Sequence, residues 1–343
     1  MTKKTAVVIC PGRGVYNKAE LGYLGRHHAD RRDMFAAFDR QRAEMGQETL
    51  AALDGAAAFS MATHTRGDNA SALIFAGSLA DFLAIDRNKI DIVAVTGNSM
   101  GWYSALACAQ AVSPENGFAV ANTMGTLMQK SLIGGQLIYP FLGEDWVKAP
   151  ERKAELLALA EKTGVSLSID LGGMLVLAGD KAGLEAFEKA VPPVQERFPL
   201  RLANHAAFHT RLQAPVAAAG RERLPATLFG QPHVPLIDGR GAIWWPGAAD
   251  RDALWDYTLG HQVTESYDFT RAIGVAAREF APDLFIVTGP GTTLGGAVAQ
   301  SLILADWQGM TSKADFQARQ KEMPLLIAMG MEEQRGSVLG LRT

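Results

Sequence analysis

The stretch that decides the fold is residues 92–112, which read IVAVTGNSMGWYSALACAQAV. Its first four residues form an apolar run typical of a buried strand, and its last eleven have a helical composition. Between them lies the pentapeptide GNSMG, a G-x-S-x-G pattern at positions 97–101. A strand, a sharp turn and a helix in this order lift the central serine clear of the sheet, because the small glycines permit a tight turn. We therefore predict that Ser99 is presented as a nucleophile.

The composition is that of an ordinary globular protein, with 48% hydrophobic and 20% charged residues among 343. A formal net charge of −3 gives no electrostatic reason to expect binding to nucleic acid. The two cysteines, Cys10 and Cys108, are too few for a disulfide framework. The apolar run at residues 6–10 is too short for the core of a signal peptide, and no segment approaches membrane-spanning length. We therefore expect a cytoplasmic protein that binds neither nucleic acid nor membrane.

Strand-like runs alternate with helical patterns over the first 130 residues, which is typical of a parallel sheet covered by helices. The pattern then changes to two successive β-α-β units, which suggest a ferredoxin-like insert. The larger pattern resumes afterwards with strands near residues 235–237 and 284–288. We therefore predict an α/β fold made of three parts: an α/β-hydrolase-like core with a parallel sheet (1–130 and 205–312), a ferredoxin-like small subdomain (131–204) and a C-terminal appendage (313–343).

A nucleophilic serine needs a base that accepts its proton. Histidines are the first candidates, and the sequence alone does not choose among the four that follow the serine, namely His205, His209, His233 and His261. No histidine is accompanied by thiolate or carboxylate residues at a spacing typical of a metal site, so we predict none.

Six motifs, in this order along the chain, resemble those of the malonyl-CoA:acyl-carrier-protein transacylase family, which includes the acyltransferase domains of polyketide synthases. The resemblance covers the chain through about residue 300. PGRG at 11–14 is similar to the family's PGQG loop, and GNSMGWYSAL at 97–106 to GHSLGEYSAL. GTLMQ at 125–129 is similar to the end of RGxxMQ, and AAFHT at 206–210 to GAFHS. Gln262 and the GPG turn at 289–291 complete the series.

This resemblance implies an acyltransferase that moves an acyl group from CoA to the phosphopantetheine thiol of an acyl carrier protein. It implies an acyl-serine on Ser99, with His209 as the general base and Gln262 orienting the imidazole through an oxygen. The main-chain N–H groups of Arg13 and Met100 are the implied oxyanion hole. Acyl-CoA is a substrate in this scheme, and no cofactor is needed.

An α/β-hydrolase analogy offers an alternative in which a carboxylate completes a triad. Asp238 or Asp170 is then the third member, with His209 or His233 as the base.

One departure from the family bears on the acyl group. Malonyl-specific members have an arginine immediately before the glycine of RGxxMQ, and its guanidinium pairs with the free carboxylate of malonate. This chain has Met124 there, which offers neither a donor nor a charge. An unpaired buried carboxylate costs about 3–5 kcal/mol, so we predict a monocarboxylic acyl group. The alternative is that another arginine serves, and the candidates are Arg13, Arg201 and Arg211.

Three further side chains are predicted to line the acyl pocket with Met124. Met174 falls where many relatives have a glutamine, and Phe208 precedes His209. Trp102 follows the elbow and either narrows the pocket entrance or packs at the start of the helix.

A second function fits the missing arginine equally well. Some relatives that lack it hydrolyse stalled monoacyl chains from carrier proteins, so an acyl-thioester (acyl-ACP) hydrolase is the alternative. A non-catalytic scaffold that binds carrier proteins is disfavoured, because it has no need of Ser99, His209 and Gln262.

Overall fold

The protein has a mixed α/β fold, seen in a computed structural model that describes residues 2–340. Its strands are β1 (Lys4–Cys10), β2 (Ile90–Gly97), β3 (Gly135–Pro140), β4 (Ser166–Leu171), β5 (Met174–Gly179), β6 (Leu200–Arg201), β7 (Leu236–Ile237), β8 (Ile243–Trp244), β9 (Tyr267–Asp268), β10 (Leu284–Val287) and β11 (Leu326–Ala328).

The helices alternate with these strands over most of the chain. They are α1 (Tyr23–His27), α2 (Arg32–Glu44), α3 (Leu50–Asp54), α4 (Met61–His64), α5 (Gly67–Ala84), α6 (Gly101–Cys108), α7 (Pro114–Ser131), α8 (Pro150–Lys162), α9 (Lys181–Ala190), α10 (Ala214–Arg223), α11 (Arg251–Asp256), α12 (Gln262–Thr264), α13 (Phe269–Phe280), α14 (Leu294–Leu304), α15 (Lys313–Glu322) and α16 (Glu332–Arg335). Within residues 2–340, none of them is both long and apolar enough to cross a membrane.

The larger sheet has the strand order β11-β10-β1-β2-β7-β8, and every pairing except β7 with β8 is parallel. The central strand β1 pairs with β10 on one side, where Ala6 is opposite Leu284, and with β2 on the other. Residues 6–10 are completely buried, as expected for a parallel strand with both faces covered. The strand and helix predicted on either side of the pentapeptide are confirmed as β2 and α6.

The smaller sheet has the order β6-β3-β5-β4-β9 and is antiparallel except where β9 joins β4. Helices α8 and α9 pack on it over a separate apolar cluster that includes Leu137, Leu177 and Phe187. The two β-α-β units predicted for this part of the chain are therefore present. Strand β9 belongs to the later chain, so its parallel pairing with β4 fastens the smaller sheet to the rest of the molecule.

The segment from residue 313, which we expected to be an appendage, contributes β11 to the edge of the larger sheet. Beyond β11, the guanidinium of Arg335 forms a buried ion pair of 2.6 Å with Asp81 on α5. Asp81 also accepts hydrogen bonds from the Tyr23 hydroxyl at 2.7 Å and from the main-chain N–H of Gly289 at 2.6 Å. His28 Nε2 lies 2.7 Å from the same carboxylate. The described part of this segment is thus an integral part of the core.

Candidate active site

The predicted nucleophile lies on the sharp turn between β2 and α6. Ser99 has a φ of +55°, in the left-handed region that most residues avoid. A Cβ on Gly97 would overlap the main chain of Gly101, and one on Gly101 would overlap the carbonyl group of Cys10. Only glycine fits at either position, so the two glycines of the pentapeptide are what let the turn press against the end of β1.

Among the four histidines that the sequence left open, His209 is the one whose ring lies within hydrogen-bond distance of Ser99 in residues 2–340. Its Nε2 lies 2.8 Å from the Ser99 Oγ, and its Nδ1 lies 2.6 Å from the main-chain oxygen of Gln262. A carbonyl oxygen only accepts, so Nδ1 carries the proton and Nε2 of the neutral ring accepts from the Ser99 hydroxyl. The main-chain N–H of His209 donates to Val263 O at 2.9 Å. This bond fixes the main chain of His209 to the short helix α12, which also contains Gln262.

Gln262 therefore orients the imidazole with its main chain, while its side chain does something else. Its Nε2 donates to the main-chain oxygen of Ser99 at 3.1 Å, and its Oε1 accepts from the Tyr103 hydroxyl at 3.1 Å. One residue thus holds both members of the dyad. A π-helical turn, Tyr257–His261, precedes Gln262, and such turns are common at functional sites.

Burial sets the protonation state of the base. It lowers the pKa of His209 to about 4, and the hydrogen bond to Gln262 only partly offsets this. The imidazole is consequently neutral at pH 7 and ready to accept the serine proton.

The predicted oxyanion donors lie beside the serine. Met100 is the N-cap of α6, where main-chain N–H groups have no helical acceptor. No group in residues 2–340 accepts a hydrogen bond from the N–H of Met100 or of Arg13. Both residues line the same cavity as Ser99. Their N–H groups are therefore free to stabilise a negatively charged oxygen.

That cavity has a volume of about 90 Å³ and lies between the larger sheet's helices and the smaller sheet. Its walls are mainly apolar, and the side chains include Met124, Met128, Ile169, Leu171, Val176 and Phe208. Polar groups come from Asn98, Gln136, His205 and the Arg13 guanidinium. An acyl group bound to Ser99 would lie in largely hydrophobic surroundings.

The chain that carries this arrangement is similar in sequence and in fold to known proteins. A curated relative, the malonyl CoA-acyl carrier protein transacylase of Escherichia coli, is 26% identical over 207 residues, or 59% of this chain and 63% of that protein. The protein of the same name from Buchnera aphidicola is 24% identical over 150 residues, or 43% of this chain and 47% of its own length. The chain thus matches less than two thirds of either relative's length. No protein-family model matches it.

Solved structures extend the comparison to almost the whole chain. The malonyl-CoA:acyl carrier protein transacylase of Xanthomonas oryzae pv. oryzae has a TM-score of 0.74 at 19% identity, covering 99% of this chain and 98% of that one. A malonyl-transacylase solved in complex with its type II PKS acyl-carrier protein has a TM-score of 0.71 at 18% identity, covering 98% and 99%. The chain has the malonyl-CoA:acyl carrier protein transacylase fold. The resemblance predicted from the motifs is confirmed, and at these identities the structural likeness establishes the fold alone.

Two residues that we predicted for the acyl pocket lie outside it in this transacylase fold. Trp102 is completely buried in the core, where its indole N–H donates to Thr258 Oγ1 at 3.0 Å. Its neighbour Tyr103 lines the cavity instead, because adjacent helical residues point about 100° apart. Met174 lies on the same face of β5 as Val176, which lines the cavity. Met174 is the first residue of the strand, two residues before Val176, and lies beyond the cavity edge.

The three arginines considered as alternative partners for an acyl carboxylate lie in different environments. Arg201 is paired with Glu188 at 2.6 Å on the surface, and Arg211 is exposed near Glu265. Only the Arg13 side chain reaches the cavity, where its Nη2 donates to Asn204 O at 2.7 Å and Thr65 O at 3.0 Å.

The carboxylates proposed for a triad do not reach the base. Asp238 accepts from the Arg240 guanidinium at 2.6 Å, and Asp170 pairs with Lys153, so neither contacts His209. Within residues 2–340, no group of three His, Cys, Asp or Glu side chains is arranged to hold a metal ion.

Sequence reasoning missed two polar side chains around the dyad, Tyr103 and Tyr267, and considered His205 only as a candidate base. Tyr103 bonds the Gln262 amide, and the Tyr267 hydroxyl donates to Gly97 O at 2.5 Å, bracing the start of the elbow. His205 lines the cavity. The sequence carries no signal that places these side chains there, because their positions depend on packing between distant segments.

Proposed function

We propose that the protein transfers an acyl group from CoA to the phosphopantetheine thiol of an acyl carrier protein through an acyl-Ser99 intermediate. The observation that supports this is the 2.8 Å contact between Ser99 Oγ and His209 Nε2 at a cavity that also presents two unused N–H groups. In this scheme Ser99, His209 and Gln262 are the catalytic group, and Arg13 and Met100 supply the oxyanion hole. The related transacylases and the neighbour solved with a carrier protein make acyl-CoA and a carrier protein the expected partners.

The first half-reaction forms the acyl-enzyme. Ser99 Oγ attacks the thioester carbonyl while His209 Nε2 takes the hydroxyl proton, and the carbonyl oxygen becomes an oxyanion beside the Arg13 and Met100 N–H groups. Collapse of this intermediate breaks the C–S bond, and His209 returns the proton to the departing CoA thiolate. The second half-reaction reverses these steps with the carrier's thiol as nucleophile and Ser99 as leaving group.

The two sheets fit the finer description of the fold as an α/β-hydrolase-like core with a ferredoxin-like subdomain. In support, the first four strands of the smaller sheet come in chain order β3, β4, β5, β6 with helices α8 and α9 between them, and lie side by side as β6-β3-β5-β4. The larger sheet places the serine elbow at the carboxyl end of a parallel strand. We propose the boundaries 1–130 with 205–312 for the larger part and 131–204 for the smaller part on the same basis. Residues 313–343 were predicted to be an appendage, but their described part joins the larger sheet through β11.

For the acyl group, we propose a monocarboxylic chain. Met124 is buried, lines the cavity, and supplies no charge where malonyl-specific relatives have an arginine. The remaining cation in the cavity, Arg13, has both of its Nη2 protons committed to main-chain oxygens, so it cannot offer Nη2 to a carboxylate.

Intact-mass measurement of the acyl-enzyme tests the transfer. The wild-type protein is mixed with acetyl-CoA or butyryl-CoA and then with a holo acyl carrier protein or with buffer alone. We expect a Ser99-dependent adduct that persists in buffer and moves to the carrier. Rapid loss of the adduct in buffer would instead establish the hydrolase, which the missing arginine at Met124 also fits. A protein that gains no adduct, or a Ser99→Ala variant that still gains one, would refute the acyl-serine mechanism.

A further inference from the structure

The Arg13 guanidinium is a cation inside the acyl cavity without an acidic partner. Its Nη2 donates to two main-chain oxygens, those of Thr65 and Asn204, and its Nη1 contacts the Met128 Sδ at 3.4 Å. The one carboxylate whose charge reaches it, Asp68, is itself paired with Arg66 at 3.1 Å. Burial lowers the pKa of Arg13 to about 10, so the group stays protonated at neutral pH.

The contacts of this guanidinium leave a single donor for a ligand. Both Nη2 protons are used, and Nε is shielded from solvent with no partner among the described residues. Nη1 gives one proton to a thioether, a weak acceptor, and keeps a second. Bidentate binding of a carboxylate needs two neighbouring N–H groups that face the ligand. Arg13 is therefore arranged to bind one oxygen atom rather than a carboxylate pair.

A matching acceptor lies in the same cavity. His205 lines it, and the Nδ1 of His205 lies 2.8 Å from the main-chain oxygen of Ala203, so Nδ1 carries the proton of the neutral ring. Nε2 is then a lone-pair acceptor that no group in residues 2–340 bonds. Burial, and after it the charge of the nearby Arg13 guanidinium, lowers the pKa of His205 to about 3. The imidazole stays neutral, and its Nε2 stays an acceptor.

We infer that Arg13 and His205 together recognise a hydroxyl group on the acyl chain, so that the preferred substrates are hydroxyacyl thioesters. The hydroxyl oxygen accepts from Arg13 Nη1 and its proton is donated to His205 Nε2. A plain alkyl chain satisfies neither group, and a carboxylate brings no proton for the imidazole. This inference rests on the proposed acyl transfer and specifies its substrate.

The test compares acylation rates within each variant, so that a general loss of activity cancels. Butyryl-CoA, 3-hydroxybutyryl-CoA, 4-hydroxybutyryl-CoA and malonyl-CoA are presented separately, and the acyl-Ser99 adduct is followed by intact mass. For the wild-type protein we expect at least one hydroxybutyryl thioester to react more than tenfold faster than butyryl-CoA. Arg13→Met keeps the main-chain N–H but removes the donor, and His205→Leu removes the acceptor. In both variants the ratio should fall to about one.

His233→Leu is the matched control, since His233 is exposed and does not line the cavity, and its ratio should equal the wild-type ratio. The inference is overturned if neither hydroxybutyryl thioester outpaces butyryl-CoA, if malonyl-CoA reacts fastest, or if the preference survives in both cavity variants. Failure of the proposed function gives a different result, which is no adduct from any of the four thioesters.

Discussion

The main-chain oxygen of Gln262 accepts a hydrogen bond from His209 Nδ1–H at 2.6 Å, and the Gln262 side chain donates to the Ser99 main-chain oxygen at 3.1 Å. The Gln262→Ala variant should therefore keep the histidine in place and lose two side-chain hydrogen bonds, the one to the Ser99 main-chain oxygen and the one from the Tyr103 hydroxyl. We expect acylation to slow about fivefold, because the hydrogen bond to the elbow is worth roughly 1 kcal/mol net, and the initial rate of adduct formation measures this. Tyr103→Phe, which removes only the bond to the amide, should have a smaller effect in the same direction.

Two results would contradict this division of labour in Gln262. One is a loss in Gln262→Ala as large as that caused by removing the base. The other is a shift of the pH midpoint of acylation towards that of a free histidine, which would mean that the side chain also fixes the imidazole.

His209→Ala removes the proton acceptor of Ser99. General-base catalysis is worth about 10²–10⁴-fold, so acylation by any thioester should fall by at least about 100-fold. Thermal unfolding followed by circular dichroism is the control that the variant is folded. The matched variant is His261→Ala, whose imidazole is partly buried on the π-helical turn and does not contact the serine, and it should acylate within about threefold of wild type. Equal labelling of the His209→Ala and wild-type proteins would exclude His209 as the base.

The lowered pKa of His209 fixes the pH dependence of acylation. The neutral ring is the active form, so kcat/KM should be constant above about pH 5 and fall as the pH drops through about 4. The same pKa shift affects stability. Between about pH 6.5 and pH 4, the imidazole of His209 is protonated in the unfolded chain but neutral in the folded protein. The free energy of unfolding should therefore decrease as the pH falls from about 6.5 to about 4.

Stopped-flow acylation over pH 3.5–8, with tryptophan fluorescence as a check that the protein is folded at each pH, measures the profile. The structure indicates that the His209 imidazole is desolvated, and a midpoint near pH 6.5 would contradict this.

The local parts of this site follow from sequence, and the parts that depend on distant segments do not. The elbow was predictable because the turn, its glycines and the flanking β2 and α6 are contiguous. His209 could be chosen only by its resemblance to a motif, since the sequence does not show which histidine packs near residue 99. The choice of Tyr103 over Trp102 for the cavity depends on how α6 is rotated against the sheet, and neither residue's type reveals that.

Long-range contacts explain the remaining differences. The sequence does not show which oxygen of Gln262, main-chain or side-chain, accepts the hydrogen bond from His209. That depends on the conformation of α12 and of the π-helical turn before it. Nor does the sequence indicate that residues after 313 complete the larger sheet, since β11 pairs with β10 and Arg335 with a carboxylate on α5. The Arg13 side chain was considered as one of three arginines, and only the packing shows that it alone lines the cavity.

Met124→Arg tests whether position 124 sets the choice of acyl group. The new guanidinium would lie in the cavity wall and could pair with a free carboxylate, so the ratio of malonyl to acetyl loading should rise at least about tenfold. Met174→Arg is the matched control, because Met174 lies beyond the cavity edge and its ratio should stay at the wild-type value. An unchanged ratio in Met124→Arg would show that this position does not contact the acyl group.

Arg335→Met should lower the stability of the protein without changing the residues that line the cavity at Ser99. It leaves the Asp81 carboxylate buried with one cationic partner fewer, and loss of such a partner costs about 3–5 kcal/mol. Urea unfolding followed by fluorescence measures the free energy of unfolding. Arg32→Met replaces an exposed arginine and should change it by no more than about 0.5 kcal/mol. Equal stability of the two variants would mean that the contacts with Tyr23, His28 and Gly289 are enough to stabilise the buried Asp81 carboxylate.

The Asp81–Arg335 pair joins residues that a ribosome makes at very different times. Asp81 leaves the exit tunnel early, together with β1, β2 and the serine elbow, whereas Arg335 and the edge strand β11 emerge only after all of these. Until then, the nascent chain carries a carboxylate destined for the interior with no guanidinium to accompany it. We therefore expect the larger subdomain to reach its native packing late in synthesis, and a ribosome stalled before residue 326 to hold a chain that a protease readily cleaves.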